Sequence, residues 1–259
     1  MKYPICQILS GKLSWSHYCE ILSISDDKER AFYERECENS RWSVRELKRQ
    51  ISTSLYQRLL LSSGEINKKK VLELSKVGNV IQKPQDIIKD PYVFEFLGLP
   101  EDKSLLESDL EASLVKHIEK FLLELGKGFS FVARQKRITI EGDHYYVDLV
   151  FYNYILKCFV VIDLKAGKLT YQDIGQIDFY VRYFEDKVKL KGDNPTIGII
   201  LCTDKNDTMP KYSVLSDNEN LFASKYMLYL PTEEELTHEL KREREIIERR
   251  IELDGKIDG

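Results

Sequence analysis

FVARQKRITIEGDHYYVDLVFYNYILKCFVVIDLKAGK, residues 131 to 168, decides the reading of this chain. It reads as three strands joined by short turns, the second over about Tyr145 to Tyr152 and the third over about Leu156 to Lys165. Residues two apart on a strand share a face. Asp163 and Lys165 therefore point one way, while Ile162 and Leu164 point the other. An apolar run, CFVVI, ends on an acid and a base that share a side, and Asp148 lies on the preceding strand. The pattern is a divided D…(D/E)-x-K.

Those residue types suit one chemistry. Two converging carboxylates can hold Mg²⁺, a hard cation that takes oxygen ligands and keeps several waters. Such an ion polarises a phosphoryl oxygen and acidifies water. A lysine beside it can orient the water or offset charge on phosphorus, and its own pKa responds to burial and to nearby charges. A salt bridge where a strand leaves the core is the bland alternative for D-x-K alone.

The surroundings extend the pattern in both directions. Gly167 and Thr170 break the third strand, and IGQIDFYVRYF, residues 174 to 184, reads as a helix with Ile177, Val181 and Phe184 on one stripe. Gln176 and Tyr180, four apart, share another face. TIGIILC, residues 196 to 202, reads as a short buried strand. Upstream, Ser108 to about Leu125 reads as one helix with Ser108 and Glu111 as a capping box. Its Leu110, Leu114, Ile118, Leu122 and Leu125 face a sheet.

This order and these motifs resemble the PD-(D/E)xK nuclease superfamily and, within it, the bacterial YhcG-like family. FLLELGKGFSFVARQ, YYVDLVFYN, CFVVIDLKAGK, GQIDFY and DNPTIGIILCTDKN are similar to that family's nuclease domain over about residues 105 to 232. KLSWSHYCEIL, ERAFYERE, WSVRELKRQI and IKDPYVFEFLGL resemble the end of its N-terminal helical domain. The resemblance implies an α/β fold, a helical N-terminal domain followed by a central mixed β-sheet flanked by helices. It implies Asp148 and Asp163 as ligands of Mg²⁺ (or Mn²⁺) and Lys165 as the catalytic lysine. Gln176 and Tyr180 resemble the Q-x-x-x-Y element of RecB-type members, and Glu124 falls where a helix carboxylate sometimes completes the metal shell. The family usually has glutamate where this chain has Asp163. It also usually carries a longer region before SWSHY, so the resemblance implies an N-terminally shortened member.

Composition bounds the rest. The 259 residues suffice for one large domain or two modest ones, and no stretch approaches the roughly 20 apolar residues that span a bilayer. Cys6, Cys19, Cys37, Cys158 and Cys202 are scattered and read as reduced thiols, which points to the cytoplasm. His17, His117, His144 and His238 show no metal-ligand spacing. The formal charge of −4 argues against a protein that coats nucleic acid, but basic residues cluster. Arg41 to Lys70 holds eight Lys or Arg against Glu46 and Glu65, and residues 126 to 137 add Lys127, Arg134, Lys136 and Arg137 with no acid. Arg41, Arg45, Arg134, Lys136 and Arg137 are the candidate phosphate contacts, with DNA as the partner.

Punctuation divides the chain into a helical domain over 1–82, a proline-bearing linker over 83–104, a nuclease domain over 105–232 and a charged C-terminal helix over 233–259. Within the first, helices are expected over Ser14 to Leu22, near Asp27 to Asn39, and over Ser43 to Leu61. A homo-oligomer or protein partner through the N-terminal helices or the C-terminal helix stays open. So do three functions: a Mg²⁺-dependent DNA nuclease, a nuclease fold without activity that binds DNA or assembles, and a plain scaffold with an ion-pair cluster.

Overall fold

A computed structural model describes residues 13–62, 68–99, 106–204, 215 and 218–230. The chain divides into two compact units, the second being Ile81–Leu230. The C-terminal helix expected over 233–259 lies outside the described residues. Among the described residues no helix is long and apolar enough to cross a membrane.

The first unit holds α1 (Trp15–Leu22), α2 (Asp27–Ser40), α3 (Val44–Ser52), α4 (Leu55–Ser62) and α5 (Lys68–Val77). Their starts are chemically marked. Asp26 accepts from the Lys28 and Glu29 amides at 2.8 Å, and Ser43 with Glu46 forms the expected capping box at α3. The helix expected from Ser43 to Leu61 is two helices. It breaks at Thr53–Ser54, where Ser54 turns left-handed at φ 51°. The freed Thr53 carbonyl accepts from Arg58 Nε at 2.7 Å, and Thr53 Oγ1 accepts from Arg58 Nη2 at 3.0 Å. A buried guanidinium thus takes up the carbonyl that the break releases, as a buried polar group must. Phe32, Tyr33, Leu47, Leu55, Leu59 and Leu74 form the core, with Trp42 packed against it.

The second unit is a six-stranded sheet in the order β1-β6-β5-β4-β3-β2. The strands are β1 (Tyr92–Val93), β2 (Phe129–Ile140), β3 (Asp143–Asn153), β4 (Cys158–Lys168), β5 (Ile197–Asp204) and β6 (Leu221–Met227). β2, β3 and β4 pair antiparallel, while β4, β5, β6 and β1 run parallel, so the sheet is mixed. Two helices, α6 (Glu107–Lys116) and α7 (Ile118–Leu125), cover one face, with Leu110, Leu114, Phe121 and Leu125 buried against Leu149, Phe151, Ile162 and Leu164. The other face is covered by α8 (Tyr171–Tyr183), which packs Ile174, Ile177 and Val181 on Val161, Ile200 and Leu221. Because β4 and β5 are parallel, the chain must cross over between them, and α8 is that crossover.

Two expectations need correcting here. Residues 83–104 are not a linker within the described residues: they supply β1 at the sheet edge, and Ile87, Ile88, Tyr92, Phe94 and Leu97 are core. The prolines punctuate without excluding a strand, since an edge strand tolerates proline at its start. The helix expected from Ser108 to Leu125 is also two, broken at His117 (φ −111°, ψ 35°). It starts at Glu107 behind Leu106, not at a Ser108 cap, and this frees the Glu111 carboxylate for other work.

Candidate active site

β4 is buried along VVIDL, residues 160 to 164, and it carries Asp163 into the sheet with no exposed surface. Lys165 follows on the same side, its side chain 15% exposed, with Nζ 3.0 Å from Asp163 Oδ2. The contact is a close, charge-assisted ion pair, and among the described residues no other donor reaches either carboxylate oxygen of Asp163. Two more acids approach the ammonium: Glu107 of α6 at 3.6 Å and Asp173 of α8 at 3.8 Å. Three elements that are distant in sequence therefore meet around one lysine.

Asp148 comes from the neighbouring strand. Leu149 of β3 lies opposite Ile162 of β4, so Asp148 and Asp163 are next in the antiparallel register. Asp148 Oδ2 accepts from the Leu164 amide at 2.8 Å, and Oδ1 accepts from Gln135 Nε2 at 3.0 Å. That same Gln135 amide donates to Glu111 Oε2, and Arg134 Nε donates to Glu111 Oε1. Gln135 holds a left-handed backbone, φ 45°, within β2. A non-glycine residue held there costs of order 1–3 kcal/mol and persists where its surroundings demand it.

Electrostatics follow from this burial. Desolvation pushes Asp163 up to about 7; Lys165 opposes the rise, while Asp148 and Asp173 add to it. Desolvation likewise raises Asp148, against the Leu164 amide and Lys165. Burial pulls Lys165 down, but Asp163, Glu107 and Asp173 outweigh it, so its pKa lies above the ordinary lysine value. The group is a pair of reluctant carboxylates beside a firmly charged ammonium.

Gln176 and Tyr180 form one unit: Gln176 Nε2 donates to Tyr180 Oη at 2.7 Å, and that hydroxyl donates to the Tyr146 carbonyl at 2.8 Å. They brace β3 just before Asp148. Glu124 is a correction. It is buried at the end of α7, where Oε1 accepts from the Val93 amide at 3.1 Å and its backbone carbonyl accepts from Lys89. It ties α7 to the edge strand β1, at the far side of the sheet order from β3. The helix carboxylate beside Asp148 is Glu111, one that the capping-box reading had assigned elsewhere.

The basic candidates separate. Arg134 is bound to Glu111, while Lys136 and Arg137 are exposed on β2. Arg41 and Arg45 are exposed in the helical unit, Arg41 as the left-handed residue ending α2. Among the described residues no group of three His, Cys, Asp or Glu could by itself hold a metal ion. A Mg²⁺ site needs fewer, since the ion usually keeps waters and takes one or two carboxylates. Asp163 passes that test: its fully buried carboxylate is met by one ammonium, which Glu107 and Asp173 share, so three acids face a single cation.

A mixed sheet between helices, with Asp and Asp-x-Lys on adjacent strands, defines a PD-(D/E)xK nuclease fold. Residues 85–241 match the family described as the YhcG PDDEXK nuclease domain, and residues 1–58 match the DUF1016 N-terminal domain. The chain is 39% identical over 247 residues to the protein named "Putative nuclease YhcG" of Escherichia coli (strain K12), covering 94% of this chain and 64% of that protein. It belongs to the YhcG family. Among solved structures, "Structure of EndoMS-dsDNA2 complex" aligns at TM-score 0.35 and 20% identity over 50% of this chain and 47% of that one. A repair endonuclease from Pyrococcus abyssi aligns at TM-score 0.33 and 21% identity over 49% and 50%.

Proposed function

We propose that this protein is a Mg²⁺-dependent nuclease (Mn²⁺ serving as well) that hydrolyses DNA phosphodiester bonds, in the processing, recombination or defence roles that the family resemblance implies. The carrying observation is Asp163, fully buried and met by Lys165, an ammonium that Glu107 and Asp173 share. Asp148 and Asp163 would hold the ion, with Glu111 replacing Glu124 as the helix carboxylate on the Asp148 side. When bound, the ion supplies Lewis acidity toward the phosphoryl oxygen and acidifies water. The chain's own residues do the rest. Lys165 remains charged and offers a donor at a defined place, where a preorganised cation stabilises developing negative charge without reorganisation. Gln135 fixes the Asp148 carboxylate on one oxygen and the Leu164 amide fixes it on the other. The membership of the family in a nuclease fold supports the reaction class, and the exposed Lys136 and Arg137 support the anionic substrate.

The test is cleavage of linear, circular and branched DNA with Mg²⁺ or Mn²⁺, beside EDTA. Wild type is compared with Lys165→Ala and Asp163→Ala, all purified alike. Metal-dependent cleavage that both substitutions abolish is the expected result. Cleavage that survives in Lys165→Ala, or a folded wild type that binds DNA without cutting any form, refutes it.

A further inference from the structure

β2 and β3 stay paired from Phe129↔Asn153 out to Ile140↔Asp143, whereas β3 pairs with β4 only from Leu149 onward. Residues 134 to 148 therefore project past the sheet as a two-stranded ribbon. One side of it is occupied. Ile138 and Val147 are buried in the core beneath α8, and the Tyr145 ring lies 4.9 Å from that of Phe179.

The other side is open. By strand alternation it carries Arg137 opposite Tyr146 and Thr139 opposite His144, and all four are exposed. Tyr146 keeps 46% of its surface accessible. Thr139 Oγ1 and His144 Nδ1 are 3.0 Å apart, while Arg137 makes no ion pair among the described residues. Both acids near the tip lie off this row: Glu141 is in the turn, and Asp143 faces Ile140 on the occupied side. The inner end of the row is fixed, because Tyr180 holds the Tyr146 carbonyl and Asp148 follows two residues later.

The geometry points to this outer side, Arg137, Thr139, His144 and Tyr146, as a track that holds an unpaired DNA strand running to the carboxylate centre. The inference rests on the nuclease reading and deepens it by naming the form of the substrate. A tyrosine ring can stack on a base only where the base face is free, and in a duplex neighbouring bases cover it. An arginine beside it takes a phosphate whatever the base. Successive cross-strand pairs on this side repeat every two residues, about 7 Å.

Fluorescence anisotropy on labelled single-stranded and blunt duplex DNA of equal length, in EDTA and again in Ca²⁺, tests this. Wild type is expected to bind the single strand more tightly. Tyr146→Ala should weaken that binding about tenfold and Tyr146→Trp should restore it, as stacking requires. Arg137→Ala should reduce the salt dependence by about one phosphate contact, roughly 0.7 in slope. The track is overturned by absent wild-type binding, by preference for blunt duplex, or by normal binding in Tyr146→Ala at an unchanged melting temperature. Binding is read without hydrolysis, so the two readings fail separately. A wild type that binds along the ribbon but never cleaves refutes only the nuclease, and one that cleaves while the ribbon variants bind normally refutes only the track.

Discussion

Asp163→Asn should stabilise the metal-free protein at pH 8, although it removes a residue of the centre. The folded-state pKa of Asp163 is about 7, against an ordinary value of 3.8. A raised acid pKa means that its contribution to stability is complete below about 3.8 and is lost as pH rises through about 7. Roughly three units at about 1.36 kcal/mol each make a cost of about 4 kcal/mol by pH 8. Asparagine keeps the shape without the charge. The attraction of Lys165 is already contained in that figure, because it lowers the pKa from which the cost is worked, and Glu107 at 3.6 Å and Asp173 at 3.8 Å stay beside the ammonium. The net gain is then about 4 kcal/mol at pH 8, or roughly 8–16 °C in the melting temperature of a unit this size. Below the folded pKa the gain shrinks, to under about 1 kcal/mol at pH 4.5. Thermal melting by circular dichroism at both pH values, with and without Mg²⁺, measures it, and Mg²⁺ should narrow the gap by stabilising wild type alone. A variant less stable than wild type at pH 8, or an equal gap at pH 4.5 and pH 8, refutes the account of a strained carboxylate.

Three further outcomes follow from the same geometry. Gln135→Ala removes the amide that links Glu111 to Asp148, and calorimetric Mn²⁺ titration should show affinity about 10–100-fold weaker, the usual effect of losing a group that orients a ligand. Tyr180→Phe leaves the Tyr146 carbonyl and the Gln176 amide without the hydroxyl between them, and urea denaturation should register about 1–3 kcal/mol of lost stability. Gly198→Ala would place a Cβ 2.7 Å from Leu221 and 2.8 Å from Val181, where β5 meets α8. Overpacking there should cost about 1–3 kcal/mol in the same assay.

The core of the centre was legible because strand periodicity is short-range. A period of two puts Asp163 and Lys165 on one side of β4, and helical spacing puts Gln176 beside Tyr180, as their 2.7 Å hydrogen bond bears out. Capping chemistry at Ser43 read correctly for the same reason. The misread carboxylates are those whose partners are remote in sequence. Ser108-x-x-Glu111 has the form of a capping box, but Glu111 is drawn to Arg134 and Gln135, more than twenty residues away. Glu124 has the right type on the right kind of helix, yet its carboxylate meets Val93, an edge strand hidden in what read as a linker.

Linear order and residue type therefore determined the succession of three strands, helix and strand, the acid and base at the end of β4, and the family to which the chain belongs. Tertiary structure alone decided which carboxylates surround Lys165, that Gln135 ties Glu111 to Asp148, and that β2 and β3 run on past the sheet with one side open. The reason is physical. Periodicity reports which side of its own element a residue faces, whereas burial, pKa and ion pairing depend on what the rest of the fold brings against that side.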